Sequence, residues 1–123
     1  MFCKFIELQR TDLAYCEFKP IEERFRKITG RHIYAAALTQ KDILTEKQLK
    51  EIGILDEIVM VGYPVGEAST HHKFPLFSKG YVASLPKDTI EDGVGFVNIP
   101  AIGGFSGAPV FLNTIGLKFF GFW

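Results

Sequence analysis

The chain has 123 residues, 47% hydrophobic and 23% charged, enough for one ordinary domain or half of a larger one and too apolar for a disordered chain. Lys+Arg and Asp+Glu are equal at 14 each, so no net basic field draws the protein to nucleic acid or to an anionic membrane. Phe and Gly are both abundant, at 12 each, which suits strands joined by tight turns better than a helical bundle.

Taken in chain order, Phe2–Leu8 mixes apolar and polar residues in the manner of a strand. Thr11–Phe18 (TDLAYCEF) is a stronger strand candidate, with Leu13, Tyr15 and Glu17 marking its alternation and Pro20 as its terminator. Residues 22–27 are charged and read as surface. Gly30 punctuates, and Arg31–Leu38 reads as a further strand. Thr45 and Gln48 have the spacing of a capping box, with Leu49 and Ile52 as a short apolar face and Gly53 as the stop, so one short helix is predicted here. Glu57–Gly66 holds a buried strand over Ile58–Val61 that runs into a Gly-Tyr-Pro turn. Phe77–Ser84 is a strand whose Gly80 suggests a bulge. Gly93–Pro100 is another strand. Ala108–Leu112 and Gly116–Phe122 form a final pair across a turn at Asn113–Thr114. Short strands at regular spacing predict an all-β barrel or sandwich.

The N-terminal segment is interrupted by Lys4, Glu7 and Arg10, so it does not read as a signal peptide, and no apolar run has the length of a membrane span. A cytoplasmic protein is expected. Strand-like alternation begins almost at the first residue, as it would in a truncated chain. Cys3 and Cys16 make no metal cluster; reduced thiols are expected, with a single bridge left open. No cofactor or metal is implied.

Residues with chemical potential concentrate in PAIGGFSGAPVF, Pro100–Phe111. Acyl transfer needs a nucleophile, a base, a group that orients the base, and donors aimed at the developing oxyanion. Ser106 is the candidate nucleophile. Gly104 can adopt backbone angles closed to other residues, which would bring its N–H beside that of Ser106 as an oxyanion hole. Read locally, the same string is a glycine turn before a strand, since short motifs recur by chance. It is not the nucleophile elbow of α/β-hydrolases: Ala108 stands where that elbow has its second glycine, and Pro109 and β-formers follow. Asp12 adjoins the apolar start of a strand, where a carboxylate can orient an imidazole; read alone it is an exposed strand-edge residue.

Four blocks in order resemble the trypsin-like (chymotrypsin-fold) serine peptidases, in particular the divergent bacterial-type domains. TDLAYCEF resembles the family's Asp-Ile/Leu-Ala strand, IVMVGYPVG its apolar strand ending in Gly-Tyr-Pro, FSKGYVAS its Lys-Gly-x-x-Ser strand, and GGFSGAPVF its nucleophile loop. The likeness runs from about Thr11 to the C-terminus. It implies a C-terminal antiparallel β-barrel over 21–123, preceded in 1–20 by the last strands of an incomplete N-terminal barrel. It further implies serine endopeptidase activity on a peptide or protein substrate. Asp12 and Ser106 would be catalytic, with the N–H groups of Gly104 and Ser106 as oxyanion donors.

Departures from the pattern matter. The family's order is His, Asp, Ser, yet no histidine precedes Asp12. His32, His71 and His72 fall between Asp12 and Ser106, the wrong order, and none is assigned to catalysis. The chain is therefore expected to be inactive or nearly so by itself, pairing with a missing N-terminal segment or another chain. Phe105 replaces the Asp that in zymogen-activated relatives pairs with a newly cut N-terminus, which implies no such activation. Pro100 and Ala101 offer no charge for a basic side chain, so an uncharged residue is the expected preference at the cleavage site. A non-catalytic trypsin-like β-barrel that binds peptides or a partner chain is the alternative. A generic β-sandwich is a third reading, and it predicts ordinary backbone angles at Gly104 and a large distance from Asp12 to Ser106.

Overall fold

The structure is a computed structural model and describes residues 3–6, 13–64, 74–89, 94–114 and 116–123. It divides into two compact units, Met1–Ala37 and Leu38–Trp123. The boundary anticipated at 20/21 falls inside a helix.

In the first unit, β1 (Cys3–Ile6) pairs antiparallel with β2 (Leu13–Cys16). The strand anticipated over Thr11–Phe18 ends early, because Phe18 opens α1 (Phe18–Thr29). Pro20 lies in the first turn of that helix, where a missing N–H removes nothing from the helical ladder. Phe18, Ile21, Phe25 and Ile28 recur at helical spacing. The charged run 22–27 lies in this helix and is mostly exposed, as its charge implies. Gly30 closes it in the left-handed region at φ 70°, its N–H donating to the Arg26 carbonyl at 2.9 Å. Arg31–Leu38 forms no strand: three alanines supply little side chain for a pleated surface to pack, and Tyr34 is 96% exposed.

The register sets Cys3 opposite Cys16, and Cys16 is disulfide-bonded, which corrects the expectation of reduced thiols. An isolated pair of four-residue strands is marginal in water, and a bridge closing a loop of this length contributes about 3 kcal/mol. Cys16→Ser is therefore expected to remove most amide-exchange protection from β1 and β2 and to leave the second unit unchanged. Equal protection in the two proteins would show that the bridge is dispensable.

The second unit is built on a curled antiparallel half-barrel sheet of five strands. These are β3 (Glu57–Gly62), β4 (Leu76–Val82), β5 (Val97–Asn98), β6 (Pro109–Leu112) and β7 (Lys118–Phe122), in the order β5-β4-β3-β6-β7. The protein is thus mostly β. The expectation of one short helix is corrected, since α2 (Glu46–Glu51) and α3 (Pro86–Thr89) join α1, with a short 3-10 turn at Gln40–Asp42. No helix among the described residues is long and apolar enough to cross a membrane.

Alternation along the strands makes the core. Ile58 and Met60 of β3 face inward with Val110 and Leu112 of β6 and Val82 of β4. Burying each large side chain stabilises by roughly 1.5–3 kcal/mol. Leu44 and Ile52, at 8% and 4% exposure, close the core from the segments flanking α2. That helix starts as its sequence dictates: Thr45 Oγ1 accepts from the Gln48 N–H at 3.3 Å, and Gln48 Oε1 accepts from the Thr45 N–H at 3.0 Å.

At the rim, the Glu57 carboxylate accepts from Lys79 Nζ at 2.5 Å and Asn113 Nδ2 at 2.6 Å. The hydrogen bond from Lys79, then that from Asn113, holds the Glu57 pKa below the usual value, and Glu57 in turn raises that of Lys79. Since the folded Glu57 pKa is the lower one, its contribution is present above the unfolded value and is lost as pH falls through the folded value. The melting temperature is expected to fall across that acid range, and Glu57→Gln to flatten this part of the profile. The change is small, because the pair is exposed and screened.

Candidate functional site

Gly93–Pro100 keeps only Val97–Asn98 as strand, and the chain then crosses to β6 through residues 99–108. Ser78 Oγ on β4 donates to the Pro100 carbonyl at 2.5 Å and pins the start of this crossing.

Two successive turns build the rest. The Phe105 N–H donates to the Ile102 carbonyl at 3.3 Å, and the Ala108 N–H to the Phe105 carbonyl at 2.8 Å. In each four-residue turn the third residue is a glycine at positive φ: Gly104 at 101° and Gly107 at 79°. A positive φ at that position is the type II signature and explains the spacing Gly104-x-x-Gly107. Turn arithmetic also decides which N–H groups stay free. The closing bonds use Phe105 and Ala108, and Gly107 donates to the Trp123 carbonyl at 2.8 Å. Among the described residues, the N–H groups of Gly104 and Ser106 and the Ser106 hydroxyl have no protein partner. Ser106 is exposed at a corner of the second turn.

Trp123 completes the frame. Its N–H donates to the Ala108 carbonyl at 2.9 Å while its carbonyl accepts from Gly107, extending the β6–β7 ladder to the foot of the serine turn. The same Trp123 borders an apolar groove of about 480 Å3, also lined by Leu49, Pro86, Val94, Phe96 and Phe120. Among the described residues no charged side chain lines this groove.

Glycines elsewhere make the crossing possible. A Cβ on Gly62, of the Gly-Tyr-Pro block, would stand 2.6 Å from Phe105 Cδ1 and 3.1 Å from Ala108 Cβ. A Cβ on Gly80 would stand 2.3 Å from the Asn98 carbonyl oxygen and 2.7 Å from Ile99 Cα. The expected bulge at Gly80 is absent, because β3 and β4 pair without a break from Glu57↔Tyr81 to Gly62↔Leu76. Gly80 is instead where another backbone crosses. The register irregularity lies between Val110 and Phe111, against β7. The sequence showed Gly62 and Gly80, but not what each would touch; only the close approach visible in the fold separates them from turn glycines.

Of the other residues considered, Asp12, His71 and His72 lie outside the described residues. His32 belongs to the first unit, where its Nδ1 lies 2.8 Å from Glu22 Oε1 of α1, an exposed pair. Among the described residues no group of three or more His, Cys, Asp or Glu side chains is placed to hold a metal ion. No protein-family model, curated protein or solved structure matches the chain.

Proposed function

We propose that the second unit carries the nucleophile loop of a serine endopeptidase of the trypsin-like kind, the finer form of the half-barrel described above. The observation that carries this reading is an exposed serine, Ser106, whose own N–H and that of Gly104 two residues earlier have no protein partner among the described residues. In the reaction, the Ser106 Oγ attacks the peptide carbonyl carbon as a base takes its proton. The carbonyl oxygen becomes an anion held by the two N–H groups. The C–N bond then breaks, the base returns the proton to the leaving amine, and water hydrolyses the acyl-serine by the same steps in reverse order.

Asp12 orients the base in this proposal. The base is a histidine supplied from another segment or chain, because no histidine of this chain stands in the family's order. The apolar groove beside Trp123 favours an uncharged substrate side chain. A peptide-library profile that shows cleavage after Arg or Lys would overturn that preference.

The test supplies this chain with a β-rich, histidine-bearing segment, fused or added as a second chain, and exposes the product to a fluorophosphonate probe. Labelling at Ser106 that vanishes in Ser106→Ala is the expected result. A folded, completed protein that takes no label overturns the proposal.

A further inference from the structure

Seven of the eight residues in Pro100–Gly107 are exposed, and the eighth, Phe105, is buried at 2% exposure. This is the opposite of what composition alone suggests for a run with Ile102 in it, since Ile102 stays 56% exposed. The ring of Phe105 enters a gap on β3 that exists because residue 62 has no side chain: a Cβ there would stand 2.6 Å from Cδ1 and 3.0 Å from Cε1. Ala108, also buried, closes the gap from the same loop.

The position of Phe105 in the chain gives this contact its leverage. Its N–H closes the first turn and its carbonyl closes the second, so one residue is the hinge shared by both. Gly104 and Gly107 lie on either side, and glycine visits positive and negative φ with nearly equal ease. A loop with three glycines, Gly103, Gly104 and Gly107, has many conformations of similar energy. Seating a rigid aromatic ring with only two side-chain torsions selects among them, because the turn geometry that buries the ring is also the one observed at Gly104 and Gly107.

We propose that Phe105 is the positioning residue of the Ser106 loop. Its ring, held in the socket that Gly62 leaves on β3, sets both turns and thereby leaves the Gly104 and Ser106 N–H groups presented without an activating cleavage. The catalytic meaning of this arrangement rests on the serine-peptidase reading; its geometry does not.

The experiment uses the 123-residue chain in solution. In the unaltered protein, Gly62 Hα is expected to show NOEs to the Phe105 ring, and the φ-dependent coupling at Gly104 to report a single positive value. In Phe105→Ala, the cross-strand NOEs of β3 and β6 should persist while the Gly104 coupling averages. Exchange of the Gly107 and Trp123 amides, which bond across the foot of the loop, should then rise about tenfold or more. Phe105→Leu, which keeps the gap filled, should restore most of the protection. Gly62→Ala blocks the socket from the other side and should produce the same loop response with Phe105 intact; adding Phe105→Leu should partly relieve it.

An unchanged Gly104 coupling and unchanged Gly107 and Trp123 exchange in a folded Phe105→Ala or Gly62→Ala protein overturns the proposal. Should Phe105→Ala not fold, the Gly62→Ala protein and its Phe105→Leu double variant decide it by the same readouts. Failure of the peptidase reading is distinct: the loop responds as stated, yet Ser106 takes no fluorophosphonate label in the completed protein.

Discussion

Gly80→Ala is expected to destabilise the second unit by about 3 kcal/mol or more, the upper range for forcing volume into a packed site. The added methyl carbon would stand 2.3 Å from the Asn98 carbonyl oxygen, 2.6 Å from Ile99 Cβ and 2.7 Å from Ile99 Cα. Two of those three atoms belong to backbone, so no rotamer change relieves the contact. β5 must move away from β4, and the bonds it makes at Tyr81↔Asn98 and Val82↔Val97 move with it. Ile99, buried in the core, is drawn out as well. For a unit of this size the melting temperature should drop by roughly 10–20 °C. Urea or thermal unfolding of the two proteins measures it, and an alanine protein as stable as the parent would mean that β5 does not cross Gly80 this closely. Gly103→Ala is the control: nothing lies within 4 Å of a Cβ there, so stability should stay within about 0.5 kcal/mol of the parent.

On the proposed serine-peptidase reading, the largest effects on activity are expected at Ser106 and Gly104 of the completed protein. Ser106→Ala should reduce hydrolysis by about a million-fold, because nothing replaces the covalent step. Gly104→Ala tests the proposed oxyanion hole separately. At φ 101° a Cβ is strained, so the backbone is expected to turn its N–H away from the site. Loss of one such donor lowers kcat by about 10²–10³. KM should change little, since the bond strengthens only as the oxyanion forms. Steady-state kinetics on a peptide substrate separates the two parameters. A rise in KM with kcat preserved would assign Gly104 to substrate binding. Peptide binding that survives Ser106→Ala, with no hydrolysis even in the completed protein, would favour the non-catalytic barrel.

The third reading, a generic sandwich, expects ordinary backbone angles at Gly104; φ there is 101°, the value of a type II turn, which a glycine turn before a strand also requires. Its other prediction concerns Asp12, which lies outside the described residues.

Some of this protein is written in local sequence. The capping box from Thr45 to Gln48 depends on side chains reaching backbone three residues away, and it forms where the spacing places it. The strands around Ile58, Phe77 and Val110 are legible because alternation and β-branched or aromatic side chains act within a few residues. The serine loop is legible for the same reason. Two turns, each needing a glycine at its third position, are a local demand that the string GGFSG states directly.

Where local signals competed, the sequence misled. Pro20 is compatible with a strand's end and with a helix's first turn; the spacing of Phe18, Ile21, Phe25 and Ile28 settles it for the helix. Arg31–Leu38 had strand-like residues at its start but too little side chain after Tyr34 to pair.

Contacts between residues distant in sequence belong to the tertiary structure alone. Gly62 and Gly80 look like any other glycines until the crossing from β5 to β6 is laid against them, because a glycine's demand for space is set by what arrives from elsewhere in the chain. Phe105 reads as one more aromatic residue beside a serine. Only the fold shows that its ring is buried while its neighbours face water, for burial is a property of the packed whole and not of a residue's own chemistry.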